Sequence, residues 1–364
     1  MNIFLMNSVG KNTWGGVEKW MWLVGCGMRD RGHAVWCGAR PGSRFLQRCG
    51  ESGLHESPVD MHGDVDPRTI ATLVRRFKKH QIDVIIANLN KDVRLAGIAK
   101  NIAGKPVLIS RAGLALLPDK PVYRHTYRWL SDGIITNTET IKSTYLSYGW
   151  LPEDFIRVIY NGIEIQPLPQ IDEAAIRRQF GLPAARPVVG IFGRLVHQKQ
   201  HDKFLAVAKT IANQFPEAIF LITGDGPLQP EIEQMAEQLG IRERVFFSGF
   251  QQNPAALYAF CDLVLLTSAF EGMPNVVLEA MHYARPVIAF NVGGVPELIR
   301  SPETGVVVPP NDVAQMSEAA LSLLNNPTAR EQMGNAARQF VIGHFSLKTM
   351  LDHVEEYLMS KVKQ

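Results

Sequence analysis

The sequence predicts an α/β protein made of two similar halves, each a parallel sheet wrapped by helices. Three observations carry that expectation. Short apolar, β-branched runs alternate with longer amphipathic segments, which is the grammar of βα units around a parallel sheet. The alternation breaks at residues 163–170, where Pro167 and Pro169 forbid regular pairing. The chain has 364 residues, more than the roughly 250–300 at which one core usually stops growing.

In the first half the expected strands are Asn2–Asn7 and residues 34–38, 84–89, 107–110, 133–137 and 158–160, with helical patterns such as residues 17–31 between them. The second half repeats the idea with Val188–Phe192, Ile219–Thr223, residues 245–248 and 263–267, Val287–Phe290 and Val306–Val308. The expected domains are residues 1–165 and 166–346. Residues 347–364 place Leu351, Val354, Leu358 and Val362 at helical spacing, so a terminal helix with an apolar stripe is expected. Ligands of open parallel sheets bind beyond the carboxyl ends of the strands, so both domains can turn their binding edges to a central cleft.

Composition is that of a globular protein, with 46% hydrophobic and 20% charged residues, which excludes a disordered or fibrous chain. No apolar run reaches the roughly 20 residues of a membrane span, and the start lacks the features of a signal peptide. A cytoplasmic protein is expected. Cys26, Cys37, Cys49 and Cys261 have no spacing suited to zinc and read as reduced, packed thiols. The net charge of +3 conceals an asymmetry: residues 1–165 carry 22 basic against 15 acidic side chains, and the remainder 16 against 20. A basic half is drawn to anionic partners through a long-range, salt-sensitive field.

Chemistry concentrates in loops that follow strands. Gly10–Glu18 includes the pair Gly15-Gly16, which lets backbone amides approach a phosphate at a helix N-terminus. Its spacing is not G-x-G-x-x-G, which argues against a dinucleotide-binding oxidoreductase. Gly193-Arg194 with Lys199 follows the first strand of the second half. Transfer from a sugar nucleotide releases a diphosphate whose charge grows in the transition state; Arg194 can clamp two of its oxygens and Lys199 adds a point charge. His197 and His201 flank this loop and read as ordinary polar surface residues.

The most specific constellation is Glu271-Gly272-Met273-Pro274-Asn275 with Glu279. Pro274 suits the first turn of a helix, which leaves Glu271 in the preceding loop and Glu279 about a turn and a half inside. Carboxylates at two depths can accept hydrogen bonds from vicinal hydroxyls of a ribose and of a hexose. The amides of Gly272–Asn275 are further donor contacts. Gly224-Asp225-Gly226-Pro227 and Gly249-Phe250 end strands as tight turns, with Phe250 a candidate wall for a base. Residues 291–297 form a third glycine loop that lines the site or joins a strand to a helix.

Together these residues resemble the retaining glycosyltransferases of family 4, whose Glu, seven residues, Glu pattern stands at Glu271 and Glu279. The likeness extends to Gly15-Gly16, Gly193-Arg194-Leu195 with Lys199, Gly224–Pro227, Asn161-Gly162 and Pro286–Ala289 leading to Gly293-Gly294. It implies a GT-B fold of two Rossmann-like domains, with no metal and no cofactor, the nucleotide sugar being a substrate. It also implies that Arg194 and Lys199 hold the diphosphate, Glu279 the ribose and Glu271 the transferred sugar, with the Gly16 amide near the phosphate. The acceptor falls to the first domain and the terminal helix crosses back to it. Gln200 and Ala284 depart from positions where many relatives carry glycine. Where relatives place a histidine after a central strand of the first domain, the candidates here are Asn88, Asn90, Asp92 and Arg111.

The expected reaction is transfer from a nucleotide-diphosphate sugar, UDP-sugar being the commoner donor among relatives, to a glycan or a lipid-linked or lipopolysaccharide acceptor. The alternatives are a nucleotide-sugar epimerase of similar fold and a non-catalytic sugar-nucleotide binder, against which the intact Arg194, Lys199, Glu271 and Glu279 argue. Asp64-Val65-Asp66 invites a metal-bound reading, but Asp66 before Pro67 is a ready helix cap. Two basic, apolar helical patterns, residues 68–80 and 123–129, are candidates for peripheral contact with an anionic membrane on its inner face, the second for acceptor or lipid contact. Nucleic acid is not an expected partner.

Overall fold

The computed structural model describes residues 1–104, 106–184 and 187–363. The chain divides into two compact units, Met1–Gly162 with the residues from Lys348 onward, and Ile163–Leu347. In the first unit seven strands, β1 (Asn2–Asn7), β2 (Ala34–Ala39), β3 (His55–Pro58), β4 (Val84–Ala87), β5 (Val107–Ala112), β6 (Gly133–Thr136) and β7 (Ile156–Val158), pair in the order β3-β2-β1-β4-β5-β6-β7. Every pairing is parallel. The core strand β4 is buried at all four residues, as expected of a sheet covered on both faces.

In the second unit β8 (Val188–Phe192), β9 (Ile219–Thr223), β10 (Val245–Gly249), β11 (Leu263–Leu266), β12 (Val287–Phe290) and β13 (Val306–Val308) pair in the order β10-β9-β8-β11-β12-β13, again all parallel. Relative to its first strand, this order repeats that of the first sheet up to the extra outer strand β7.

Three strands differ most from the sequence expectation. β3 is polar, His55-Glu56-Ser57-Pro58, with only Ser57 buried, so no apolar run announces it. It forms because it lies on the rim and needs one partner only, Trp36 to Ala39 facing His55 to Pro58. Pro58, which has no amide to give, is tolerated there. β7 starts at Ile156, which pairs with Ile134; the expected run at residues 158–160 lies mostly beyond it. β4 also stops before Leu89, whose amide is taken by the carboxylate of Asp92 at 3.0 Å.

The terminal helix Leu347–Val362 buries Met350, Leu351, Val354, Tyr357 and Leu358. Its Glu355 and Asp352 each meet Arg31 of the first unit at 2.6 Å. Gln364, the last residue of the expected helix, lies outside the described residues. The helix Pro67–Lys79 starts on Asp66, whose carboxylate accepts from Thr69 at 2.9 Å, so this acid is the cap that the sequence offered. Ile70, Leu73 and Phe77 of that helix are in the core, which removes the apolar face a membrane-resting helix would need. Among the described residues no helix is long and apolar enough to cross a membrane. All four cysteines are free thiols.

Gln200 and Ala284, the two departures from glycine, both lie in the left-handed backbone region, at φ 46° and 55°. A side chain there is strained, by roughly 1–2 kcal/mol in general. Ala284→Gly is therefore expected to raise resistance to urea slightly, by about 0.5 kcal/mol once the greater freedom of the unfolded glycine chain is subtracted; a lowered midpoint would contradict the strain.

Candidate active site

Both sheets change direction beside their first strand, between β1 and β4 and between β8 and β11. Ligands of open α/β sheets enter at such a point, beyond the carboxyl ends of the strands. In the second unit the flanking loops are residues 193–200 and 267–274, the two stretches in which the sequence placed its cations and acids.

Gly193 follows β8 with φ 150°, and a β-carbon on it would lie 3.1 Å from Cε of Lys199. The glycine therefore clears the path along which the lysine stem runs. The loops are joined by hydrogen bonds to backbone carbonyls: Thr267 Oγ1 donates to that of Lys199 at 2.9 Å and Ala269 N–H to that of Gln198 at 2.8 Å. Gln198 Nε2 adds a bond to the Phe270 carbonyl at 2.9 Å. So fixed, Lys199 Nζ meets Glu271 Oε1 at 2.6 Å, with the side chains only 14% and 9% exposed. Arg194 is different. It is exposed, and its guanidinium makes no hydrogen bond or ion pair among the described residues.

Glu279 lies on the helix Asn275–His282, entered through Pro274. The hydroxyl of Tyr258 donates to its Oε2 at 3.0 Å. Tyr258 is buried, and its ring stacks on Phe192 with centroids 3.8 Å apart. Burial and the Glu279 charge push the phenol well above its ordinary range, so it remains a donor. Because Phe192 directly precedes Gly193, Tyr258 ties the carboxylate to the root of the cationic loop. Apolar periodicity makes Tyr258 look like core, and no local pattern marks it as part of a site.

Gly272, Met273 and Pro274 are buried, and the Gly272 carbonyl accepts from Gly294 N–H at 2.7 Å. Asn275 is half-buried at the helix start. Gly224 donates its amide to the Gly249 carbonyl at 3.0 Å, and the next residue, Phe250, is 56% exposed.

His197 is exposed as expected, but His201 is not a surface residue. It opens the helix His201–Gln214 with 4% exposure, both ring nitrogens lack partners among the described residues, and it lines a hollow of about 350 Å³ with Gln200, Leu228 and Glu231. Burial, then the Lys199 charge, pushes its pKa down to about 4. A base buried neutral stabilises the fold fully above the unfolded imidazole value near 6.5 and progressively less as pH falls towards 4. We expect this unit to lose about 2 kcal/mol through His201 between pH 8 and pH 5. Urea unfolding of His201→Gln should show a flatter acid limb; parallel profiles would refute it.

In the first unit Gly15 caps the helix Gly16–Asp30, its amide held by Glu18 Oε2 at 2.8 Å, and a β-carbon on Gly16 would meet nothing within 4 Å. The four candidates after the central strands have separate surroundings. Asn88 donates to Asn7 Oδ1 at 3.1 Å, and Asn90 Oδ1 accepts from Tyr127 at 2.7 Å. Asp92 is fully buried and accepts from the Ser8 and Leu89 amides at 3.2 and 3.0 Å. Burial pushes it up to about 6 against those bonds. Arg111 lies within β5, one residue from its end, rather than after it; it is 4% exposed, with its guanidinium 4.9 Å from the Trp20 ring centroid. Among the described residues no group of three or more His, Cys, Asp or Glu is placed to hold a metal ion.

Comparison with known proteins decides the family. Residues 14–166 match the family described as Glycosyltransferase Family 4, and residues 172–340 match Glycosyl transferases group 1. The chain belongs to the glycosyltransferases that these two models describe. Its fold is that of the protein Alr3699/HepE of Anabaena, solved in complex with UDP, at a TM-score of 0.88 and 24% identity over 99% of this chain and all of that one. This is the GT-B fold of two Rossmann-like units. Among curated relatives, the alpha-D-kanosaminyltransferase of Streptomyces kanamyceticus is 33% identical over 50% of this glycosyltransferase and 47% of its own length. The lipopolysaccharide core biosynthesis glycosyltransferase LpsE of Rhizobium meliloti is 28% identical over 68% and 70%. The chain spans about half the length of several curated relatives that it matches.

Proposed function

We propose that this glycosyltransferase moves a sugar, a hexose in the first instance, from a UDP-sugar to a glycan or a lipid-linked or lipopolysaccharide acceptor, with retention and without a metal. One observation carries the reading: at the switch point of the second sheet, Lys199 and Glu271 stand in contact at 2.6 Å, in the loops that also carry Arg194, whose guanidinium has no partner among the described residues. Cations there meet the charge that builds on a departing diphosphate, and a carboxylate held by one of them is oriented to accept sugar hydroxyls. The solved complexes of Alr3699/HepE with UDP and with UDP-glucose favour uridine as the base. In the retaining reaction the leaving phosphate takes the acceptor proton on the same face of the sugar, so no protein base is required there. The domain boundaries at residues 165 and 346 and the division of donor and acceptor between the halves belong to the same proposal.

The test is a thermal-shift panel of UDP- and GDP-sugars, followed by donor hydrolysis with the best ligand. Stabilisation by UDP-sugars with release of UDP is expected. Conversion of the donor to an isomeric sugar nucleotide would instead mark an epimerase, and binding with no turnover in the presence of glycan acceptors a silent binder.

Tyr258→Phe keeps the stack on Phe192 and deletes only the hydroxyl on Glu279. We expect UDP to bind about tenfold more weakly, in line with the loss of a hydrogen bond to a charged group, at nearly unchanged stability. Equal affinity would show that Glu279 takes its ribose-binding position without Tyr258.

A cytoplasmic enzyme with peripheral membrane contact is also proposed, on a narrower basis. The helix Pro121–Leu130 leaves Val122 and Trp129 exposed at 58% and 75%, with Arg124, His125 and Arg128 exposed around them. Leu116 and Ile102 are likewise exposed, at 67% and 57%. Tryptophan and basic side chains on one surface suit an anionic bilayer. Co-sedimentation with anionic vesicles at low salt, lost in Trp129→Ser with Arg124→Ser, is expected; no sedimentation of the wild type would end this reading.

A further inference from the structure

We infer that Arg111 reads an oxyanion, a phosphate or a carboxylate, on the acceptor, so that the acceptor of this glycosyltransferase is anionic. The inference deepens the proposed function and rests on it. Arg111 is a cation with 4% exposure at the carboxyl end of β5, two strands from β1 on the binding edge of the first sheet. Burying an unpaired charge is unfavourable, and structural arginines are normally matched by a carboxylate. Arg111 has no ion pair among the described residues. Its hydrogen bond is a long one, Nη2 to Asn161 Oδ1 at 3.4 Å.

Among the described residues no acid is in contact with it. Trp20 offers its ring. Glu18 is near enough to favour the protonated guanidinium, but its carboxylate is engaged on the Gly15 amide at 2.8 Å. Tyr145 is close too, and its phenol is neutral, pushed above its ordinary range by burial. Burial lowers Arg111 only to about 10, so it is charged at neutral pH.

A second observation points the same way. Seven buried polar atoms of the first unit have no partner among the described residues, and six of them lie toward the same carboxyl ends: Asn7 Nδ2 and Ser8 Oγ at the end of β1, Asp92 Oδ1 after β4, Thr136 Oγ1 and Asn137 Oδ1 at the end of β6, and Trp20 Nε1 on the helix that follows β1; the seventh, Tyr357 Oη, stands beside Gly133 where β6 begins. Buried polar groups are otherwise almost always satisfied. Hydroxyls of a sugar match donors and acceptors interleaved in this way, and an oxyanion matches the guanidinium fork. The surplus of basic side chains over residues 1–165 supplies the field that draws such a molecule in.

The test uses the full chain saturated with UDP, so that anions do not simply occupy the loop of Arg194 and Lys199. Methyl phosphate, acetate and methyl α-glucoside are titrated separately while tryptophan fluorescence is followed, with Trp20→Phe identifying the reporter. A millimolar response to methyl phosphate or to acetate is expected, and which of the two is tighter names the anion. Arg111→Gln should weaken that response at least tenfold while UDP affinity stays within twofold. Should that variant not fold, Arg111→Lys, which keeps the charge without the fork, should weaken it severalfold. The same anion midpoint in wild type and variants, or no anion response, overturns the assignment. A wild type that fails to bind UDP would strike the donor reading instead, and the anion titration run without UDP would still decide the role of Arg111.

Discussion

Lys199→Ala is expected to lower turnover of the nucleotide-sugar donor by about two orders of magnitude or more, the loss typical of removing one group that stabilises developing charge. The effect should fall on kcat more than on KM, because in the proposed role the lysine meets charge that grows only as the sugar–phosphate bond breaks. Its 2.6 Å contact with Glu271 complicates the reading, since the variant leaves a carboxylate of 9% exposure without its partner. A double variant resolves this. Lys199→Ala with Glu271→Gln should recover stability lost by the single change yet remain as slow. Turnover near the wild-type rate in Lys199→Ala would refute the assigned role.

The second large effect is expected at Gly293. This residue has φ 53°, and a β-carbon on it would sit 1.9 Å from the carbonyl oxygen of Glu271 and 3.2 Å from that of Gly272. Both neighbours are backbone, which cannot swing aside as a side chain does. Gly293→Ala should therefore reduce stability by at least about 3 kcal/mol, at the upper end of overpacking effects. It should also displace Glu271 and slow transfer, even in conditions where the fold survives. Urea unfolding and turnover should both report it, and an unchanged unfolding midpoint would show that the loop yields freely.

The fold was legible because parallel sheets covered on both faces must be written in apolar runs, and most of these strands are. β3 escaped because a rim strand needs one partner and can be polar. In the loops after β8 and β11, the residue types and their places after strands pointed to Arg194, Lys199, Glu271 and Glu279, and the geometry brings Lys199 and Glu271 into contact. Tyr258 could not be seen, because a buried aromatic in an apolar helix looks the same whether or not its hydroxyl reaches a carboxylate. His201 was misread for the reverse reason: a polar residue after a loop suggests solvent, whereas the helix it opens turns it inward. Gln200 and Ala284 were visible as departures from glycine, but only backbone angles disclose that both stand where glycine is favoured. In the first unit the sequence offered four candidates without ranking them; Arg111 stands out as a buried cation with no ion pair among the described residues.

The rim strand β3 has a consequence for how the protein behaves when crowded. An open sheet edge is a template on which another chain can add, and such addition seeds insoluble aggregates. Here the outermost strand offers a carboxylate at Glu56 and, at Pro58, no amide to donate. A neighbouring molecule that tried to continue the first sheet through this side would bury a charge and lose a hydrogen bond, so the edge resists fibril growth.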